Sequence, residues 1–141
     1  MYLDLQNKPR TLPVNIIRKA CEYAEEYLGM NIDTEVEIIF DKDIGACGWA
    51  LDMGDYIEVQ IDKTQSNRQM IRTLLHELVH VDQYDKGRLV AAEGKKPYRW
   101  KGKVCRISDY AKQPWEIEAF DYEAKMYRNF MRKCKKEGIE L

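Results

Sequence analysis

LLHELVHVDQ, residues 74–83, contains His76 and His80, the only two histidines among the 141 residues. They stand four apart with Glu77 directly after the first. On a helix, positions i and i+4 lie one above the other on one face. Two imidazoles so placed can converge on a single ion at about 2.0–2.1 Å each. Glu77 lies about 100° further round the helix. It would therefore sit beside the open coordination position, not among the ligands, where it can take a proton from a water held there. Two histidines dropped at random into this chain would fall four apart about once in 70 trials, and a glutamate in that slot cuts the odds roughly tenfold more. Chance is a poor account of H-E-x-x-H.

The surrounding pattern supports a helix. Ser66 or Asn67 suits the cap, Met70, Leu74, Leu75, Leu78 and Val81 form an apolar face, and Gly87 suits the stop after Asp85. Upstream, PVNIIRKACEYAEEYL (13–28) has Val14, Ile17, Ala20, Cys21, Ala24 and Leu28 at helical spacing, with Pro13 at the first turn and Gly29 beyond the last. Between the two helices, TEVEIIF (34–40) and YIEVQI (56–61) alternate in the manner of strands, separated by a run punctuated by Gly45, Gly48 and Gly54. The simplest reading is three short, mostly antiparallel strands. Gly45-Ala-Cys-Gly48 lacks the Lys-Ser/Thr of a phosphate loop. Residues 86–113 read as irregular, with a hairpin possible around Lys101-Gly102, and Pro114 opens a last helix that closes near Gly138.

A catalytic zinc takes three protein ligands and a water. With no histidine left, the third must be a carboxylate or a cysteine. The carboxylates gather in PWEIEAFDYE (114–123): Glu116, Glu118, Asp121 and Glu123. Glu116 and Glu123, seven apart, share a face, while Glu118 points elsewhere with Asp121 close to its direction. Trp115, Ala119, Tyr122 and Met126 mark the buried stripe, and Glu118 flanks it. The other acids fit a solvated face.

LLHELVHVDQ, together with PWEIEAF placing Glu118 38 positions after His80, resembles the gluzincin class of zinc metallopeptidases. It is similar in particular to the small SprT-like or minimal-gluzincin proteins of phages and bacteria. The motifs cover about a fifth of the chain. The resemblance implies a third ligand from a downstream helical glutamate in a Glu-Ala or Glu-x-x-Ala context. Both contexts occur, as Glu118-Ala119 and as Glu116-Ile-Glu-Ala119. Glu118 is the expected ligand and Glu116 the alternative. SprT-like proteins proper more often use a third histidine, so its lack here points to the gluzincin branch and away from a DNA-repair role. The resemblance further implies one zinc ion, Glu77 as general base, and hydrolysis of a protein or peptide substrate. Tyr98 and Tyr110 are candidates to stabilise the oxyanion, and Asp121 to orient a histidine ligand. An edge strand would pair with the extended substrate, and YIEVQI is the candidate.

Composition sets the outer bounds. Hydrophobic residues at 45% suffice for a core, and a net charge of −1 announces no polyanionic partner. No stretch approaches the roughly 18 apolar residues that span a bilayer, and MYLDLQNKPR has no signal-peptide run. Cys21, Cys47, Cys105 and Cys134 form no C-x-x-C pair and read as reduced thiols of a cytoplasmic protein. Residues 86–113 carry nine lysines and arginines interleaved with Tyr98 and Trp100. A nucleic-acid surface is conceivable there, but a solvated basic loop is the simpler reading. The expectation is a single α+β, zincin-like domain over 1–141. An N-terminal helix and a small sheet would back the H-E-x-x-H helix, and the C-terminal helix would supply the third ligand. A metal-binding structural or interaction module without catalysis, and a zinc hydrolase of a non-protein amide, are the alternatives.

Overall fold

The computed structural model describes residues 1–141. The order is β1 (Tyr2–Gln6), α1 (Val14–Leu28), β2 (Glu35–Asp41), β3 (Gly48–Asp52), β4 (Ile57–Asp62), α2 (Asn67–Asp85), β5 (Leu89–Ala91), β6 (Pro97–Trp100), β7 (Lys103–Val104), a 3-10 turn (Tyr110–Lys112) and α3 (Pro114–Lys136). The fold is α+β, with three helices and two small sheets.

The larger sheet has the order β1-β2-β4-β3. Its first three strands are parallel, and only β3 runs antiparallel, at the edge beyond β4. This corrects the expected antiparallel arrangement. The N-terminal YLDLQ, not read as a strand, forms β1, and the β1-α1-β2 crossover makes its pairing with β2 parallel. One face of the sheet is covered. Val36, Ile38, Phe40, Ile57, Val59 and Ile61 are buried, while Glu37, Glu58 and Gln60 alternate with them on the more open side. YIEVQI, now β4, lies between β2 and β3 and is not an edge; the edges are β1 and β3, of which β3 lies beside Glu77.

The buried face packs on α2, whose Ile71, Leu74, Leu75, Leu78 and Val79 are each at most 1% exposed. Ser66 caps this helix, its Oγ accepting from the Gln69 N–H at 3.2 Å. Helix α1 buries Ile16, Ile17, Ala20, Cys21 and Ala24, and stops at Gly29, whose φ of 64° is the left-handed conformation a helix end requires. Tyr23 of α1 stacks near Phe130 of α3, so the three helices share one core. No helix is long and apolar enough to cross a membrane.

The segment 86–113 is more ordered than its sequence suggested. β5, β6 and β7 form a second antiparallel sheet, and Lys101 and Gly102, both at positive φ, turn the β6-β7 hairpin. Several of its cations are structural. Arg88 pairs with Asp82 and Glu118, and Arg88 and Lys101 both lie over the Trp100 ring.

One glycine fixes the distance between sheet and helix. A Cβ on Gly48 would stand 2.8 Å from the Gln60 carbonyl oxygen, 2.7 Å from Thr73 Cγ2 and 3.4 Å from Glu77 Cγ. The first residue of β3 can therefore lie against α2 only without a side chain.

Candidate metal centre

α2 carries His76, Glu77 and His80 on its buried middle turns, at 5%, 4% and 5% exposure. The seventeen residues from Asn67 to Gln83 rise without proline or glycine, so the two rings keep their one-turn spacing. α3 packs across this face and brings Glu116, in its first turn, between the rings. His76 Nε2 lies 3.0 Å from Glu116 Oε1, and His80 Nε2 lies 3.1 Å from the same oxygen. One ligand atom from each of the three residues lies within 4.8 Å of the others, so the three side chains can hold a metal ion.

The third carboxylate is thus Glu116, the alternative in the sequence reading, and not Glu118. The reason is helix rotation. Trp115 and Ala119 are buried, and Glu116 turns to the side of that stripe which faces α2. Glu118 turns to the other side, where it accepts from Gln83 Nε2 at 3.2 Å and pairs with Arg88. Asp121 is exposed and paired with Lys125, remote from either ring. The carboxylate that does support a ring is Glu123, 2.8 Å from His76 Nδ1 and 2.5 Å from Arg72 Nε. Its signal was present in the seven-residue spacing from Glu116. Gln83 supports the other ring, its Oε1 2.8 Å from His80 Nδ1.

These contacts settle where the ring protons lie. Gln83 Nε2 donates to the Trp115 carbonyl at 3.0 Å and to Glu118, so Gln83 Oε1 faces His80 as an acceptor. Glu123, paired with Arg72, is an acceptor for His76. Each ring must therefore donate through Nδ1, which leaves both Nε2 atoms pointing at the Glu116 carboxylate. Three acceptors converge with no donor among them, an arrangement that calls for a cation. Atoms around an ion held tetrahedrally at 2.0–2.1 Å stand roughly 3.3 Å apart, close to the 3.0 and 3.1 Å found here. The donor set and its spacing fit a metal.

Without an ion, protons take that place. Burial disfavours a charged His76 ring, but the hydrogen bonds to Glu116 and Glu123 outweigh it, and the ring is raised to about 10. His80 is raised on the same balance of burial against its bond to Glu116. For Glu116, burial acts upward, but the two imidazoles prevail and lower it to about 2. Glu123 is likewise held below the usual carboxylate range by His76 and Arg72 against the effect of burial.

Glu77 differs from these. It is buried beside the three donors, burial raises its pKa, and its Oε2 has no hydrogen-bond partner. It opens onto a cleft of about 540 Å³ that Gly48, Trp49, Ala50, His80, Tyr110 and Glu116 also line. Trp49 Nε1, which sequence reasoning did not single out, is a second buried polar atom without a partner in this cleft. Of the two tyrosines expected near the site, Tyr110 lines the cleft together with Glu116; its own burial and the Glu116 charge raise its pKa. Tyr98 is 43% exposed and lies against Arg99, outside the cleft lining. Phe120 meets the His76 ring edge to face, with centroids 4.6 Å apart, and closes that flank.

No protein-family model, no curated protein and no solved structure matches this chain.

Proposed function

We propose that the chain is a zinc-dependent peptidase, with His76, His80 and Glu116 as ligands and Glu77 as general base. The observation that carries this reading is the free Glu77 oxygen beside a ready three-donor site. A purely structural site has no use for a buried carboxylate left without a partner, whose desolvation costs free energy. Two histidines and a glutamate are also the ligand set of catalytic zinc, which leaves one position open.

Zinc bound there would polarise the scissile carbonyl and acidify the attacking water. Glu77 does the proton work. Buried beside the proposed metal position, it is placed to take the proton of the attacking water and return it to the departing amine. Tyr110, whose hydroxyl reaches the mouth of the site, is placed to donate to the oxyanion.

The edge strand supplies the substrate track. Asp62 N–H donates to the Cys47 carbonyl and Met53 N–H to that of Tyr56, so residues of odd number on β3 bond inward to β4. Gly48, Ala50 and Asp52 then direct their backbone groups outward. Gly94 N–H takes the Asp52 carbonyl at 2.8 Å and the Tyr84 hydroxyl donates to the Ala50 carbonyl at 3.4 Å, which leaves the Gly48 backbone groups, beside Glu77, and the Ala50 N–H as the open run. An extended peptide added here would lie across the cleft.

The test is metal content and cleavage of an unfolded protein substrate, measured together. Wild type should hold about one zinc per chain and cleave, and Glu77→Gln should keep the zinc and lose cleavage. A wild-type protein that takes up no metal when zinc is supplied removes this reading. Cleavage retained by Glu77→Gln removes the base.

A further inference from the structure

The outer edge of β3 is stopped at one end. The stop is the tip of the β5-β6 hairpin, residues 92–96, between the paired Ala91 and Pro97. Gly94 of this tip, at a φ of 67°, gives its N–H to the carbonyl of Asp52, the last residue of β3. The tip is also seated along the β3-β4 turn. A Cβ on Gly94 would stand 3.6 Å from Met53 Cε, and one on Gly54 would stand 3.3 Å from Glu93 Cδ. A strand added to β3 would lie about 4.8 Å from it. At Asp52 that lane is already filled by the chain's own backbone. Beyond the other end of β3, Gly45, Ala46 and Cys47 are exposed.

Gly48, where β3 begins, lies against Glu77. The steps from Gly48 to Asp52 cover roughly 13 Å of strand. A peptide whose reacting bond sits beside Glu77 therefore has room for about three residues before the stop. The free backbone groups set its direction. With the Ala50 carbonyl taken by Tyr84, the Gly48 carbonyl and the Ala50 N–H remain on one stretch of edge. In a parallel ladder a single residue gives its N–H to the first and takes the second with its carbonyl. An antiparallel chain would need the Ala50 carbonyl as well. A parallel chain runs as β3 does and brings its C-terminal end to the hairpin tip. The tip carries the matching charge. Lys96 is the one lysine or arginine that lines the cleft, and it forms no ion pair. The carboxylates of the cleft, Glu77 and Glu116, belong to the metal centre, and Glu93 of the tip lies against Gly54, outside the cleft lining.

We propose that the β5-β6 hairpin tip seats the free α-carboxylate of a polypeptide against Lys96, so that the chain acts as a carboxypeptidase releasing short C-terminal fragments. Water adds across the peptide bond beside Glu77. Its hydroxyl goes to the acyl side and its proton to the amine of the departing fragment. The inference rests on the peptidase reading, and two measurements keep the two separable. The first is an NMR titration of Glu77→Gln, supplied with zinc, with N-acetyl-trialanine and with its C-terminal amide. Saturable shifts at the Gly94 and Lys96 amides are expected, with the acid binding about fivefold more tightly than the amide. Lys96→Ala in the same background should erase that difference, and Lys96→Arg should keep it. The second is mass spectrometry of the products that wild type makes from an unstructured peptide, as free acid and as amide. Products shortened only from the C-terminal end are expected, with the amide cut several-fold more slowly. Internal or N-terminal cleavage, equal rates for acid and amide, or acid binding that Lys96→Ala leaves unchanged overturns the carboxylate seat. Acid-selective binding that depends on Lys96, with no peptide cut by wild type, supports the seat and removes the peptidase reading. Neither binding nor cleavage overturns both.

Discussion

His76 and His80 present the same nitrogen to the same carboxylate, but the protein backs them with different chemistry. Behind His76 stands an ionised pair, Glu123 with Arg72, and the Arg72 side chain is 40% exposed. Behind His80 stands a neutral amide, Gln83, fully enclosed and tied to the Trp115 carbonyl and Glu118. The difference follows from charge balance. A divalent ion at the centre would be matched by Glu116 and Glu77, and the charge of Glu123 is matched by Arg72. A carboxylate at 83 would be a surplus buried anion beside Glu118. An amide gives His80 the same orientation without that charge, and a carboxylate gives His76 a more basic ring.

The strongest test of the pairing is its common target. Glu116→Ala should abolish stoichiometric zinc, an effect beyond the 10–100-fold loss typical of a supporting partner. Glu118→Ala, which touches the centre only through Gln83, should keep one zinc per chain by elemental analysis. Next is exchange of the two supports. Gln83→Glu should destabilise the fold by about 2–3 kcal/mol in urea denaturation, because it leaves a buried charge facing the Trp115 carbonyl and Glu118. Glu123→Gln should cost less than Gln83→Glu in the same denaturation measurement and weaken zinc about tenfold in competition with a chelator. Equal costs for the two would show that the charge difference is incidental.

The arginines give smaller effects. Arg88→Met strips a partner from Asp82, which is 1% exposed, and should cost about 1–2 kcal/mol, with Lys86 retaining the other oxygen. Arg72→Met, at a half-open position, should cost under about 1 kcal/mol and weaken zinc only a few-fold. A separate effect is on pH dependence. His76 is raised from 6.5 to about 10 in the metal-free fold, so its contribution is complete below about 6.5 and is lost as pH rises through about 10. The melting temperature of stripped protein should fall across that interval. The fall should be shallower in Glu123→Gln, which lacks one of the two bonds that raise the ring.

The helices were legible in the sequence because capping and punctuation are local. Ser66, Gly29, Pro114 and Gly138 mark ends that lie within a residue or two of those found. Strand direction was not legible. Alternation reports which face is buried and says nothing of polarity, and parallel strands are usually buried on both faces. Here β2 and β4 are covered on one face only, so they read as antiparallel. The two histidines and Glu77 were legible from spacing alone. The choice between Glu116 and Glu118 was not, because it depends on how far α3 is rotated against α2. Glu-Ala adjacency favoured Glu118, which the structure does not bring to the two rings, while the seven-residue pair Glu116 and Glu123 held the geometric clue. Gln83 carried no signal, since a buried glutamine announces itself only once its neighbours are in place.

The missing side chain at Gly48 has a consequence for how this molecule could change. Edge strand and the helix that carries Glu77 meet across a gap narrower than a methyl group, and the obstacle on one side is backbone, which cannot swing away. Position 48 therefore works as a gauge. Gly48→Ala would force β3 outward by a fraction of an ångström and carry the track away from Glu77, while His76, His80 and Glu116 stay where α2 and α3 hold them. Metal uptake and turnover would come apart at a residue that touches neither the ion nor a proton. A laboratory selection for altered turnover should therefore find revertants at Thr73, whose Cγ2 is the nearest side-chain atom and can shrink to make room.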